Sequence, residues 1–135
     1  MTPNLKQAVP FFGVTNIEAS VRFYVKGLGF AMTKQWTPEG KLRWCWLERE
    51  GVALMLQEYL SAHLPPEKLG VGVSICFICE DAIELYREFK ARGLEASRPF
   101  VGNGMWVTSL TDPDGYRVGF ESYTDAEEES EYEEE

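Results

Sequence analysis

The chain has 135 residues, 44% hydrophobic and 13% aromatic, which suffices for one compact domain or two small modules and excludes a disordered body. Its net charge is −9, but eight of the 22 acids fall in the last eleven residues, leaving 14 acids against 13 bases in a nearly neutral remainder. No basic surface points to nucleic acid, and no apolar run approaches the roughly 18 residues of a membrane span, so neither partner is expected.

The opening segment, MTPNLKQAVPFF, lacks the apolar stretch of a secretory leader, and a cytoplasmic location follows as the default. PFFGVTN reads as a short strand ending at a helix-capping Asn16. In the segment that follows, IEASVRFYVKGLGF, Ile17, Val21, Tyr24 and Leu28 fall at helical spacing before a glycine stop. Trp36 is placed in a loop at a rim. LRWCWLE and VALMLQE alternate as strands, so Trp44 and Trp46 share one face while Leu47 turns to the other. SAHLPPEKLG, with paired prolines, reads as a linker, and His63, the only histidine, reads as a solvated residue within it.

The second half repeats the plan with a period of about 64 residues. SICFICED is a strand, Asp81 caps the next helix with Glu84 at capping-box spacing, and Ala82, Leu85 and Phe89 form an apolar stripe. MWVTSL is a strand carrying Trp106. Asp112-Pro113-Asp114-Gly115 is a tight turn, and YRVGFES is the closing strand. The expected organisation is a first module over residues 1–60, a linker over 61–70, a second module over 71–124 and an acidic, disordered, passive tail over 125–135. Each module is βαβββ. One alone would leave sheet edges open to water, so an α+β fold with two modules forming a curved mixed sheet around a cup is expected.

The cysteines, Cys45, Cys76 and Cys79, form no secreted-type framework. Cys76 and Cys79 lie three apart on a strand, which sends them to opposite faces and prevents joint metal binding; two buried thiols are expected. Glu58, Glu121 and Asp112 together would make only a weak hard-cation site. No paired-carboxylate or nucleophile motif, phosphate loop or dinucleotide fingerprint occurs.

The NIEASVRFYVKGLGF segment and the DPDGYRVGFES segment together resemble the vicinal oxygen chelate superfamily, which includes glyoxalase I, extradiol dioxygenases, fosfomycin-resistance enzymes and bleomycin-resistance binding proteins. The likeness covers nearly everything from Ala8 to Tyr123 and implies fold more than function. It implies metal-ligand positions at Val9, Met55, Ser74 and Gly119, where metal-dependent relatives carry His, Gln or Glu. Val and Gly have no donor, a thioether suits soft copper, and a lone Ser is a feeble ligand. A one-residue slip would bring in Pro10 or Val73, which rescues nothing. No metal, no cofactor and no catalytic residue is therefore expected.

If those four positions mark the hollow face, Phe11, Gly13, Ala53, Gln57, Cys76, Ile78 and Glu121 share it. Phe11, Trp44, Trp46, Met55, Gln57, Ser74, Trp106 and Glu121 are the candidate ligand-binding residues. Two readings of the tryptophans stand, core filling and an aromatic groove for a planar or amphipathic ligand. The resemblance implies a metal-free, dimeric small-molecule binder, closest to the bleomycin-resistance type, holding an aromatic or glycopeptide antibiotic. The alternatives are a metal-dependent lyase, isomerase or dioxygenase with a displaced site, and a structural module without a ligand. Whether a cup forms within one chain or across two is left open.

Overall fold

A computed structural model describes residues 2–134. The first module runs β1 (Phe11–Val14), α1 (Ile17–Val21), β2 (Ala31–Trp36), β3 (Trp44–Arg49) and β4 (Val52–Glu58). The second runs β5 (Ser74–Ile78), α2 (Ala82–Ala91), β6 (Phe100–Gly102), β7 (Met105–Thr111) and β8 (Arg117–Tyr123). Each module is βαβββ, as the sequence repeat predicts. The strands form two four-stranded mixed sheets of matching order, β1-β4-β3-β2 and β5-β8-β7-β6, with β1–β4 and β5–β8 parallel.

Local chemistry starts both helices in the same way. Asn16 and Asp81 hold extended backbone, and their side chains accept the N–H groups of Ala19 and Glu84 at 3.1 and 3.0 Å. The last strand of each module also helps. Glu58 accepts the Ile17 N–H at 3.0 Å, and Ser122 Oγ accepts the Ala82 N–H at 2.9 Å. Beyond Val21 the first helix widens into a π-helical turn over Arg22–Gly27, with Leu28 N–H reaching back to the Phe23 carbonyl. α2 stops at Gly93, whose φ of 85° suits the left-handed conformation that ends helices.

The inner faces of both sheets line one core. Phe12, Val14, Leu47, Leu54 and Leu56 come from the first, Phe77, Leu110, Val118 and Phe120 from the second. Phe30 reaches Phe77 at a ring separation of 5.8 Å, and Phe12 stacks on Tyr116 at 4.2 Å. The modules meet back to back, so they form two sheets where one continuous sheet was expected. Each inner face is covered first by its own module's helix, with Tyr24 against Phe12 and Phe89 against Phe120, and the two halves then share one core through the Phe12–Tyr116 and Phe30–Phe77 contacts.

The Asp112–Gly115 turn clasps this junction. Asp112 is buried, and its Oδ1 accepts the N–H groups of Asp114 and Tyr116 while its Oδ2 accepts the Tyr24 hydroxyl at 2.8 Å. Burial, followed by the charge on Asp112, pushes the Tyr24 phenol above its ordinary range, so it stays a donor. Asp114 accepts the backbone N–H and hydroxyl of Thr15, and Arg49 forks onto Glu88 at 2.8 and 3.0 Å. A turn that reads as local in sequence is thus a long-range fastening.

The acidic C-terminus does not stand free as its charge predicts. Val101 N–H donates to the Ser130 carbonyl at 2.9 Å, and Tyr132 N–H donates to the Pro99 carbonyl at 2.8 Å. The Tyr132 ring meets Trp106 and Tyr86 edge-on at 6.3 and 6.2 Å. Charge counting favoured solvent; the aromatic anchor and the unfilled hydrogen bonds of β6 favour docking. Glu135 lies outside the described residues.

Candidate functional site: the open faces of the two sheets

Strand alternation leaves each sheet with one face away from the core, and register arranges that face in rows. On the first sheet Phe11, Met55, Trp46 and Lys34 form one row, and Gly13, Gln57, Trp44 and Trp36 the next. Phe11 and Trp36 are each 54% exposed, while Trp44, Trp46 and Met55 are half-buried. Trp36 belongs to β2 and not to a loop, and it adds a tryptophan to the face.

Three contacts hold this aromatic face in place. Lys34 Nζ sits 4.9 Å from the Trp46 ring centroid, a cation–π contact. Trp46 Nε1 donates to Glu48 at 2.6 Å, which fixes the indole edge. Tyr59 folds back over Gly13, where a Cβ would fall 2.4 Å from its ring. Gly13 is therefore the gap into which Tyr59 fits, an assignment that alternation alone cannot make.

The open face of the second sheet is smaller and more polar. Its rows are Ser74, Arg117 and Thr111; Cys76, Gly119 and Ser109; and Ile78, Glu121, Val107 and Phe100. Cys76 is exposed, contrary to the expected buried pair, because the outward parity of β5 carries it with Ser74 and Ile78. Its thiol donates to Glu121. Burial and then Glu121 push the Cys76 pKa to about 12, so it is a protonated thiol near neutral pH and not a ready nucleophile.

Of the candidate residues, Phe11, Trp44, Trp46, Met55 and Gln57 come together on the first sheet, and Ser74 and Glu121 on the second. Trp106 does not join them. It pairs with Ser122, whose hydroxyl reaches the start of α2, so its side chain lies on the helix side against Tyr132. The strand is the expected one; the facing, which the sequence left open, is the helix side.

The acids do not converge either. Glu58 takes Ile17, Lys41 and Arg43, Asp112 holds the clasp, and Glu121 faces Cys76. Burial alone would raise the Glu58 pKa, but its N–H, lysine and arginine partners outweigh that and hold it below the ordinary 4.5. His63 lies exposed in a short 3-10 turn, Ser61–His63.

Val9, Met55, Ser74 and Gly119, the positions that the resemblance marks for metal ligands, offer no imidazole and no carboxylate. Val9 and Gly119 supply no donor, and Met55 supplies a thioether between Phe11 and Trp46. Ser74 is an exposed hydroxyl opposite Arg117. Among the described residues no three His, Cys, Asp or Glu side chains gather at one point.

A separate cleft of about 630 Å3 opens between the modules, floored by Phe30, Phe77 and Leu85 and edged by Glu50, Glu80 and Glu84. It was invisible in the sequence because both modules make it, Phe30, Arg49 and Val52 from the first and Phe77, Leu85 and Phe120 from the second.

The Glyoxalase/Bleomycin resistance protein/Dioxygenase superfamily profile matches residues 6–120, and the chain belongs to this family. Among solved structures it is similar to a bleomycin-binding protein complexed with bleomycin, at 23% identity over 89% of this chain and 100% of that one, with a TM-score of 0.70. It is equally similar to a bleomycin resistance determinant encoded on transposon Tn5, at 24% identity over 88% and 98% of the two chains, with a TM-score of 0.70. An antibiotic-binding protein from Streptomyces sp. CB03234 matches at 18% identity over 90% and 100%, with a TM-score of 0.68. Among curated proteins no sequence matches. At these identities the structural likeness shows the fold; the family membership carries the class.

Proposed function

We propose that this chain is a metal-free small-molecule binding protein that holds an aromatic or glycopeptide antibiotic against the open face of its first sheet. One observation carries the reading: Phe11, Trp36, Trp44 and Trp46 stand together on a solvent-facing sheet instead of filling the core. Aromatic side chains cost free energy when left wet, and a planar ligand recovers it, with about 0.5–1.5 kcal/mol per stacked pair beyond area burial. The bleomycin-bound structure of similar fold and the antibiotic-binding protein agree with this direction. The protein would act by sequestration, as an antibiotic-resistance factor in the cytoplasm. Among the described residues no helix is long and apolar enough to cross a membrane.

The reading includes a homodimer. Both inner faces are spent on the shared core, so a cup enclosing a ligand needs the open face of a second copy. An aromatic first-sheet face opposed to the small, polar second-sheet face of a partner leaves room for a ring system and supplies Gln57, Ser74 and Glu121 as polar contacts.

Titration of the whole protein with bleomycin and other aromatic and glycopeptide antibiotics, followed by tryptophan fluorescence and sedimentation, tests this. A saturable change with at least one ligand, on a dimer, is expected. No saturable change with any of them overturns the binding function. Stoichiometric divalent metal in protein purified without chelator overturns the metal-free assignment and favours the lyase, isomerase or dioxygenase alternative.

A further inference from the structure

We propose that the acidic C-terminal segment is a strap closing the β6 edge of the second sheet, and that the edge beneath it pairs with a second copy of the chain when the strap lifts. β6 is three residues long, FVG, and lies at the outer end of its sheet. The strap uses the main-chain groups that such an edge presents. Val101 N–H donates to Ser130, the Val101 carbonyl accepts Glu129 N–H at 2.8 Å, and the Pro99 carbonyl accepts Tyr132 N–H at 2.8 Å. Phe100 and Glu131 form a bridge across the seam.

Side chains lock the strap down. The Tyr132 ring seats between Trp106 and Tyr86, with the Arg87 guanidinium 5.3 Å from its centroid. Arg98 Nε donates to the Tyr132 carbonyl at 2.7 Å, and its guanidinium pairs with Glu131 at 3.1 Å. Glu128 accepts the N–H groups of Asn103 and Gly104 at the β6–β7 turn.

The outer edge of the other sheet explains why β6 needs cover. β2 carries Lys34 and a register shift between Met32 and Lys34, and an edge lysine and a bulge are two common ways to discourage strand addition. β6 has no charge and no bulge, and its Phe100 is 44% exposed. Uncovered, it is a short apolar template for another strand. The strap fills it and turns Glu127, Glu129, Glu133 and Glu134 to solvent, where an approaching copy meets like charge.

The test compares the full-length chain with Tyr132→Ala and with Arg98→Gln, by amide exchange at Val101 and by sedimentation velocity over a concentration series. Both variants are expected to exchange the Val101 amide at least about tenfold faster. They are also expected to form species larger than those of the parent chain as concentration rises. Unchanged Val101 exchange in both would overturn the strap. Faster exchange with the parent's sedimentation at every concentration would overturn the association surface. Exchange at Val118 in the core monitors the fold; if Tyr132→Ala loses it, Arg98→Gln, which keeps the aromatic anchor, carries the measurement.

Discussion

Position for position, the face of the first sheet away from the core carries Phe11, Met55 and Trp46 where that of the second carries Cys76, Gly119 and Ser109. The next row carries Gln57, Trp44 and Trp36 where the second sheet has Glu121, Val107 and Phe100. The strand order and the helix caps are the same, and the register matches across β1-β4-β3 and β5-β8-β7. One backbone plan therefore serves two purposes. The inner faces stay apolar in both modules because both feed one core, whereas the outer faces are free to diverge, one aromatic and the other small and polar.

Removing an aromatic side chain from the first face should break this contrast most clearly. Trp46→Ala is expected to weaken antibiotic binding by about 2–4 kcal/mol, roughly 30- to 1000-fold, as buried aromatic anchors do. Val107→Ala on the other face should change it by less than about threefold. Equal losses at the two positions, measured by titration calorimetry, would erase the distinction.

The helix starts offer a second, smaller contrast. Glu58 and Ser122 do the same work for α1 and α2, but only Glu58 is ionised and paired with Lys41 and Arg43. Glu58→Gln should cost about 1–2 kcal/mol in chemical denaturation and Ser122→Ala no more than about 1 kcal/mol. The Glu58 pKa is depressed, so its contribution is complete above the unfolded value and is lost as pH falls through the folded one, below 4.5. Acid should therefore speed exchange at the start of α1 through this contact and spare the Ser122 contact. Equal sensitivity at Ile17 and Ala82 would refute that.

The smallest effects concern two glycines. Gly13→Ala must push the Tyr59 ring aside and should cost about 1 kcal/mol. At Gly119 the nearest atoms to a new Cβ are carbonyl oxygens of Thr108 and Ile75 at 3.8 and 3.9 Å, so Gly119→Ala should stay within about 0.5 kcal/mol of the parent in thermal melts. A destabilised Gly119→Ala would show that this position is crowded and not merely short of a donor.

Much of the architecture was legible before any coordinates. Asn16 and Asp81 announce the helix starts, alternation in WCWLE and VALMLQE assigns the outward tryptophans, and Val9 and Gly119 announce the missing donors. These are local signals with short-range causes: a cap, a pleat, the absence of a side chain. Trp106 was not legible in the same way. Its strand was identifiable, but its facing depends on pairing with Ser122, whose register is set by the Asp112–Gly115 turn that joins β7 to β8.

By itself the sequence determined two βαβββ units and the outward faces of β3 and β4, because periodicity and side-chain chemistry are properties of neighbouring residues. Tertiary structure alone decided that the modules meet back to back, that Asp112 fastens them, that Trp106 faces the helix side and that the acidic tail docks. Each of those outcomes depends on which distant group was left with an unfilled hydrogen bond or an uncovered apolar face.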